Sequence, residues 1–323
     1  MEDGLPDSPL TRTASAPSPG IVHLGLGAFF RAHGAIYTQQ AMAKAGGDWG
    51  IIGVSLKSPT TRDALQPQGA VYHALELAPD GAELLLVTSL SAVLVAPEDP
   101  SAVLAAMADP SVKIVSLTVT EKGYCHHPAS GALDRDHPDI IHDLTHDSPQ
   151  SSIGYLTRAL ALRKAAGIPP FTVLCCDNLP HNGKLLRGLV LEFAQSLDPD
   201  LAQWIADHGA FPSTMVDRIV PATTDETRVE VARLTGFADA APVVHEPYRQ
   251  WVMEDDFVGG VRPAWDQVEA ELVQDVAPYE DMKLRMLNAS HSALSYLGYV
   301  AGHHTITDVM ADPVFDDYAQ SIC

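Results

Sequence analysis

The chain has 323 residues, of which 46% are hydrophobic and 19% charged, a composition typical of a globular protein with one large or two ordinary domains. Asp and Glu number 41 against 20 Lys and Arg, which gives a formal net charge of -21. Such an acidic surface repels phosphate backbones and anionic lipids, and no apolar run is long enough to span a bilayer. We therefore expect neither nucleic acid nor a membrane as a partner.

The N-terminal segment and the cysteines indicate the cellular setting. The first 20 residues are rich in Pro, Ser and Thr and lack the apolar core of a signal peptide, so we expect residues 1–20 to be a disordered leader on a cytoplasmic protein. The cysteines are Cys125, Cys175, Cys176 and Cys323. They form no C-x-x-C pair, so the sequence predicts no metal site and no disulfide framework.

Apolar runs alternate with helical patterns along most of the chain. Strands are predicted at residues 21–24, 49–56, 84–90, 113–119 and 171–176. Helices are predicted at residues 31–44, 101–108, 151–166 and 183–195, and then, in a mainly helical region, at 224–234 and 278–299. Apolar strands between helices indicate an α/β fold with a parallel sheet covered on both faces. We place a domain boundary near Val276.

A glycine turn, Gly25-Leu26-Gly27, follows the first predicted strand. Glycines at this place let the backbone turn tightly and approach a pyrophosphate. Phe30 occupies the position of the third glycine in the usual dinucleotide pattern, and a lone G-x-G also occurs in ordinary tight turns. The flanking elements favour the dinucleotide interpretation.

The end of the second predicted strand lacks the acid that usually binds the ribose 2′-hydroxyl. Lys57, Ser58 and Arg62 follow that strand instead. They would either face a 2′-phosphate or be solvated loop residues, so the choice between NAD and NADP stays open.

Four polar residues share one face of the helix predicted at residues 278–299. At about 100° per residue, Glu280, Lys283, Asn288 and His291 fall within an arc of roughly 140°, together with leucines. Burial there would lower the pKa of Lys283 and make its amine a general base. Asn288 would donate to the oxygen that gains negative charge, and His291 would orient it. An ordinary amphipathic helix with a solvated lysine is the alternative.

A second polar cluster follows the apolar strand predicted at residues 171–176. It contains Asp177, Asn178, His181 and Asn182, beyond the carboxyl end of the strand, where open parallel sheets bind ligands. We predict Asn178 to be a second donor to the reacting oxygen. A role in the turn and in helix capping is the alternative, and His181 has no metal-ligand partner at a recognisable spacing.

Asp217 precedes Arg218 in a short charged stretch of an otherwise apolar segment. Adjacent opposite charges usually form a structural ion pair. The functional alternative is that Asp217 tunes the base or holds the substrate.

Together these segments resemble the polyol-specific long-chain dehydrogenase/reductase (mannitol dehydrogenase) family, which contains mannitol 2-dehydrogenase and fructuronate reductase. The matching stretches are residues 21–33, 118–124, 176–183, 211–221 and 246–251. The most specific match is K-x-x-x-x-N-x-x-H at Lys283, Asn288 and His291. The matches occur in order from residue 21 onward, and the family's turn, G-x-G-x-F-x-R-A-H, accounts for the missing third glycine.

The resemblance implies a two-domain enzyme with its active site between the domains. Residues 21–275 would form a Rossmann-type dinucleotide-binding domain, and residues 276–323 would begin a mainly α-helical substrate domain. The cofactor would be NAD, with NADP not excluded. The implied cofactor-binding residues are Gly25, Leu26, Gly27, Ala28, Phe29, Arg31, Lys57, Ser58, Thr120 and Glu121.

The resemblance also implies the catalytic roles, without a metal ion. Lys283 would be the general base in alcohol oxidation and the acid in reduction, while Asn178 and Asn288 polarise the carbonyl. His291 would bind substrate, Asp217 would support the site, and the remaining implied residue, one helical turn before the lysine, is Glu280, which would gate a proton path to solvent.

The segment from Thr120 to Cys125 looks more like fructuronate reductases than mannitol enzymes, so we expect D-mannonate and D-fructuronate as the substrate pair. D-mannitol and D-fructose are the alternative. We expect a monomer or a small homo-oligomer. Family members continue past Cys323, so part of the substrate domain is expected to be missing, and a truncated, non-catalytic nucleotide-binding protein is a further alternative.

Overall fold

A computed structural model of the chain describes residues 8–78 and 81–322, with side chains up to residue 321. The chain divides into two compact units, one ending at Gln274 and the other beginning at Asp275. The first unit contains the strands β1 (Pro19–Leu24), β2 (Gly50–Ser55), β3 (Tyr72–Ala78), β4 (Gly81–Val87), β5 (Leu90–Val95), β6 (Ile114–Leu117), β7 (Thr172–Cys175), β8 (Thr214–Asp217), β9 (Val243–His245), β10 (Gln250–Glu254) and β11 (Glu271–Val273). Its helices are α1 (Ala28–Ala32), α2 (Gly34–Ala45), α3 (Thr60–Leu65), α4 (Pro100–Ala108), α5 (Pro138–Thr145), α6 (Ser152–Ala165), α7 (Asn182–Leu197), α8 (Pro199–His208) and α9 (Asp225–Thr235). The second unit contains α10 (Ala277–Met282), α11 (Ala289–Ala301), α12 (Ile306–Met310) and α13 (Pro313–Ile322).

A parallel sheet forms the centre of the first unit, with strand order β5-β2-β1-β6-β7. β1 pairs in parallel with β2 on one side and with β6 on the other, so the strand order reverses at the carboxyl end of β1. In open parallel sheets ligands bind at such a reversal. The predicted α/β fold with a Rossmann-like parallel sheet is confirmed.

Side chains alternate between two apolar clusters, one on each face of this sheet. Val22 and Leu24 of β1 belong to one cluster, and Ile21 belongs to the other. Successive residues of a strand point to opposite faces, so both faces are covered. The helices predicted at residues 101–108, 151–166, 183–195 and 224–234 correspond to α4, α6, α7 and α9. No helix in the described part of the chain is long and apolar enough to cross a membrane.

The strand predicted at residues 84–90 is wrong as a single element. β4 ends at Val87 and pairs antiparallel with β3, whereas β5 begins at Leu90 and joins the parallel sheet. Thr88 and Ser89 separate the two strands, and both contact α2: the amide of Thr88 donates to Gln39, and the Ser89 hydroxyl donates to the carbonyl of Ala35. A continuous β-prone run does not reveal this change of sheet. Two further small sheets have the strand orders β11-β10-β8 and β4-β3-β9.

The prediction of a disordered leader is wrong for residues 8–20. Leu10 is buried, and Pro9 forms a β-bridge with Ala238. The Arg12 guanidinium donates to backbone carbonyls on either side of the β3–β4 pair, among them those of Gly69 and Leu90. Carbonyls at strand ends need donors, and Arg12 supplies them. Residues 1–7 lie outside the described part of the chain.

The second unit is a small helical assembly. Gly298 of α11 packs on Val309 of α12 so closely that a Cβ on the glycine would lie 2.2 Å from a Val309 methyl carbon. A capping box between Thr305 and Asp308 begins α12. Large apolar side chains of α11 are nevertheless exposed, among them Val300 at 84%.

Candidate active site

The glycine turn after β1 has no room for a side chain at its first position. Gly25 has a φ of +92°, and a Cβ there would lie 2.2 Å from the carbonyl oxygen of Thr118. The amide of Gly27 donates to the carbonyl of Gly25 at 2.7 Å, and the Thr118 hydroxyl donates to the same carbonyl at 2.9 Å. The turn is therefore tight and fastened to the neighbouring strand β6.

Phe30 replaces the usual third glycine by packing inward. Its ring stacks on the buried His23 ring, with centroids 3.3 Å apart, and Gly34 leaves room for it: a Cβ on Gly34 would lie 2.6 Å from the ring. His23 contacts Ser116 and Thr118 through its two nitrogens, and burial lowers its pKa to about 3. A neutral imidazole thus lies beneath the turn.

The helix predicted at residues 31–44 is two helices in the structure, α1 and α2, which are separated at His33.

A cleft of about 980 Å³ opens at the carboxyl ends of β1, β2 and β6. The predicted cofactor residues that line it are Gly25, Leu26, Gly27, Lys57, Ser58 and Thr120. Residues that the sequence did not suggest line it as well, including Ser55, Lys122 and Tyr155. Ser55 is the last residue of β2, Lys122 lies in the helical turn Glu121–Tyr124, and Tyr155 lies in the first turn of α6. Sequence alone does not reveal that these distant elements line one cleft.

The other predicted cofactor residues do not line this cleft; they are Ala28, Phe29, Arg31 and Glu121. Arg31 is buried, donates to the carbonyl of Ala241 at 2.6 Å and lies over the ring of Tyr72. Its guanidinium therefore holds α1 to the segment before β9, which is a structural role, and a contribution of Arg31 to cofactor binding stays a prediction.

Two basic residues, Lys57 and Arg62, follow β2, and they differ in their surroundings. Lys57 and Ser58 line the cleft. Arg62 instead forms a bidentate pair with Glu98, at 2.7 and 3.0 Å, and contacts Asp63 at 2.6 Å. Its charge is therefore offset by two acids.

Asp177 joins the segment after β6 to the segment after β7. Its carboxylate accepts from the amides of Val119 and Thr120, at 2.8 and 3.1 Å, and from the Tyr124 hydroxyl at 2.5 Å. Burial raises the pKa of Asp177, while these hydrogen bonds act in the opposite direction. Thr120 lines the cleft and Asn178 is the next residue after Asp177, so one carboxylate positions both.

Asn182 has the structural role that was the alternative for this cluster. Its side-chain amide accepts from the amide of Thr214 and donates to the carbonyls of Asp177 and Thr214. Asn178 and His181 are exposed, and His181 precedes α7 with a φ of +49°.

Asp217 is half-buried at the end of β8 and pairs in register with Gln250 of β10. Arg218 turns into the interior, where it donates to the carbonyls of Ala32 and Glu246 and lies 3.4 Å from Glu76. Arg218 thus connects three elements of the first unit.

The lysine helix of the second unit is not α-helical throughout. Residues Lys283–Asn288 form a π-helical stretch between α10 and α11. In an α-helix, residues five apart point about 140° apart, whereas in a π-helix the i to i+5 hydrogen bond stacks them one turn apart. Lys283 and Asn288 therefore lie on one side of the helix. Both are half-buried, as is Glu280, and His291 is exposed.

The predicted catalytic residues are divided between the units. Asn178 and Asp217 belong to the first, and Glu280, Lys283, Asn288 and His291 belong to the second. That the two sets form one active site stays a prediction.

One group of potential metal ligands lies in the cleft wall. Cys125, His137 and Asp139 each offer one ligand atom, and these atoms lie within 4.8 Å of one another. Their spacing in the sequence matches no common metal signature. Cys125, Cys175 and Cys176 are all free thiols, and Cys323 lies outside the described residues.

Comparison with known families extends over nearly the whole chain. The model of the mannitol dehydrogenase Rossmann domain matches residues 19–267, and that of the mannitol dehydrogenase C-terminal domain matches residues 275–323.

Individual proteins are similar over the same span. The chain is 48% identical over 305 residues to the uncharacterized oxidoreductase YeiQ of Escherichia coli (strain K12), covering 94% of this chain and 62% of that protein. It is 48% identical over 300 residues to D-mannonate oxidoreductase of the same organism, covering 91% and 62%. The chain thus spans less than two thirds of the length of these curated relatives.

A solved structure has the same architecture. The Pseudomonas fluorescens mannitol 2-dehydrogenase, in a ternary complex with NAD and D-mannitol, matches with a TM-score of 0.87 and 42% identity, over 98% of this chain and 65% of that one. Two family models, two relatives and one structure thus agree over nearly the whole chain. The chain belongs to the mannitol dehydrogenase family.

Proposed function

We propose that the protein transfers a hydride between NAD(H) and a secondary alcohol or ketone carbon of an open-chain sugar acid. One observation carries the proposal: the glycine turn, the Lys57–Ser58 pair and the Thr118–Thr120 segment line a single cleft at the carboxyl ends of neighbouring parallel strands. A cleft in this place is where Rossmann-type sheets hold a dinucleotide.

The cofactor proposed is NAD. The solved relative holds NAD, and that supports the same cofactor here. NADP remains a candidate because no acid follows β2 and Lys57 lines the cleft. Titrating NADH and NADPH by fluorescence separates the two, and tighter binding of NADPH would contradict the choice of NAD.

Lys283 is proposed as the acid and base of the reaction, and NAD(H) supplies or accepts the hydride when bound. In oxidation the Lys283 amine takes the proton of the substrate hydroxyl as the adjacent C–H bond breaks, and in reduction Lys283 returns the proton to the carbonyl oxygen. Asn288 donates to that oxygen. The π-helical stretch supports this pairing, because it stacks Asn288 above Lys283.

The remaining roles are proposed from the family resemblance. Asn178 is a second donor to the reacting oxygen, and His291 binds the substrate. Asp217 supports the site, and Glu280 gates proton exchange with solvent. No metal ion takes part in the transfer.

The substrate proposed is the D-fructuronate and D-mannonate pair. The segment from Thr120 to Cys125 and the similarity to a D-mannonate oxidoreductase support it. D-fructose and D-mannitol are the second candidate, because a mannitol 2-dehydrogenase is similar over nearly the whole chain.

The test is NADH oxidation by the purified chain with D-fructuronate and with D-fructose at equal concentrations. We expect a higher kcat/KM for fructuronate. A preference for fructose would overturn the substrate, and NADH binding without turnover on either sugar would overturn the enzymatic proposal in favour of a nucleotide-binding protein.

A further inference from the structure

A thiol, an imidazole and a carboxylate meet on the wall of the cleft, outside the residues used in the proposed hydride transfer. Cys125 ends the short helical turn Glu121–Tyr124, and His137 and Asp139 lie at the start of α5. All three line the cleft, and their potential ligand atoms lie within 4.8 Å of one another. We propose that Cys125, His137 and Asp139 bind a divalent transition-metal ion, with zinc as the preferred ion.

The ligand chemistry selects the type of ion. A sulfur, a nitrogen and an oxygen ligand suit Zn²⁺, whereas Mg²⁺ and Ca²⁺ prefer oxygen alone. Three protein ligands leave one tetrahedral position for water, on the side of the cleft.

The spacing of one pair of these groups needs little change. Nδ1 of His137 lies 3.9 Å from Oδ2 of Asp139. Two ligands about 2.1 Å from a tetrahedral zinc are separated by about 3.4 Å, so a shift of about half an ångström closes this pair around an ion. In the same ring Nδ1 accepts from the Asp139 amide at 3.2 Å, a long hydrogen bond that the ion would replace.

The backbone holds Cys125 in place for this role. Cys125 has a φ of +49°, a conformation that side-chain-bearing residues rarely adopt. Its carbonyl accepts from the amide of Asp134, and the adjacent His126 forms a β-bridge with Leu133. The loop between Cys125 and His137 is thereby folded back so that its two ends meet at the cluster.

The charges around the thiol favour a cation. Three carboxylates, those of Asp139, Asp143 and Asp134, act electrostatically on the Cys125 thiol, against one cation, Lys57. A divalent ion would offset that negative charge and hold the sulfur as a thiolate. The inference is independent of the proposed function, since its test reads metal binding and not turnover.

The experiment uses the full chain, treated with chelator, dialysed and titrated anaerobically with Co²⁺. We expect about one ion per chain, with a thiolate-to-cobalt absorption in the near ultraviolet and visible bands of a four-coordinate ion, which added Zn²⁺ removes. The variants Cys125→Ser, His137→Asn and Asp139→Asn should each weaken Co²⁺ binding at least about tenfold.

Matched controls carry the same substitutions outside the cluster. Cys176→Ser, His208→Asn and Asp147→Asn should bind Co²⁺ like the unmodified protein. Because His137 and Asp139 are only partly buried, their variants are expected to fold, which circular dichroism checks. Absence of the thiolate band in the unmodified protein, or its persistence in His137→Asn and Asp139→Asn, would overturn the proposal.

Discussion

The wall of the cofactor cleft and the lysine helix present their polar groups in opposite ways. In the cleft, backbone positions are fixed by buried neighbours: Gly25 touches the Thr118 carbonyl, and Asp177 holds two backbone amides. On the helix, Lys283 is half-buried, and its neighbour Leu284 is 56% exposed. Substitutions in the cleft wall should therefore change cofactor binding and stability together, and those on the helix should change turnover alone.

The largest effect is expected for Lys283→Ala. Loss of the proposed general base should lower kcat about a thousandfold, while NADH binding, followed by fluorescence titration, stays within about twofold. Lys184→Ala, an exposed lysine of α7, is the control and should have unchanged kinetics. If Lys283→Ala kept nearly the activity of the unmodified protein, Lys283 would not be the acid and base. The lysine helix would then not differ from the cleft wall in affecting turnover alone.

Gly25→Ala should weaken NADH binding about a hundredfold and lower the free energy of unfolding by about 3 kcal/mol, because it adds both a disfavoured φ and a clash. Gly236→Ala is the matched control: its φ is +75°, but no atom lies within 4 Å of a Cβ there. It should cost about 1 kcal/mol and leave NADH binding unchanged. Equal losses of stability in both variants would mean that the disfavoured φ, and not the clash with Thr118, causes the effect of Gly25→Ala.

Asp177→Asn should raise the KM for NADH about tenfold and change kcat much less. The amide keeps one acceptor oxygen and places a donor against a group that already donates, so the Thr120 segment loses an anchor. Asp147→Asn, at a fully exposed side chain, is the control. If kcat fell while the KM for NADH stayed unchanged, Asp177 would act by positioning Asn178 for the reaction, and not by holding the Thr120 segment against the cofactor.

The last effect expected concerns pH and the buried His23. Its pKa in the folded protein is about 3, below the value near 6.5 of an exposed histidine. As the pH falls, the unfolded chain therefore binds a proton first, and the free energy of unfolding decreases below about pH 6.5, by about 2 kcal/mol at pH 5. Urea unfolding at pH 7 and pH 5 measures this, and His23→Asn should remove about that much of the dependence. The exposed His208→Asn should not.

Much of the first unit could be predicted because its signals are local. Gly25 follows an apolar run, and the strands ending near Leu117 and Cys175 are short and mainly apolar, as strands of a covered parallel sheet are. The lysine pattern was likewise visible within one helix.

What the sequence did not reveal depends on distant pairs. The link from Asp177 to Val119 and Thr120 spans more than fifty residues, and Arg31 has its partner Ala241 at still greater separation. Arg12 anchors a segment whose composition is typical of disorder, through a single side chain. Cys125 and Asp139 meet only because the loop between them folds back. None of these contacts has a period or a motif from which it could have been predicted.

The π-helical stretch at Lys283–Asn288 makes the winding of the helix, as well as its composition, a determinant of the chemistry. A π-turn holds one residue more than the α-turn that it replaces. Removal of one residue between the lysine and the asparagine would therefore leave a regular helix in which the two are four residues and about 40° apart, still on one side. Regular winding without that deletion would leave every proposed catalytic side chain in the protein and still turn Asn288 away from its lysine.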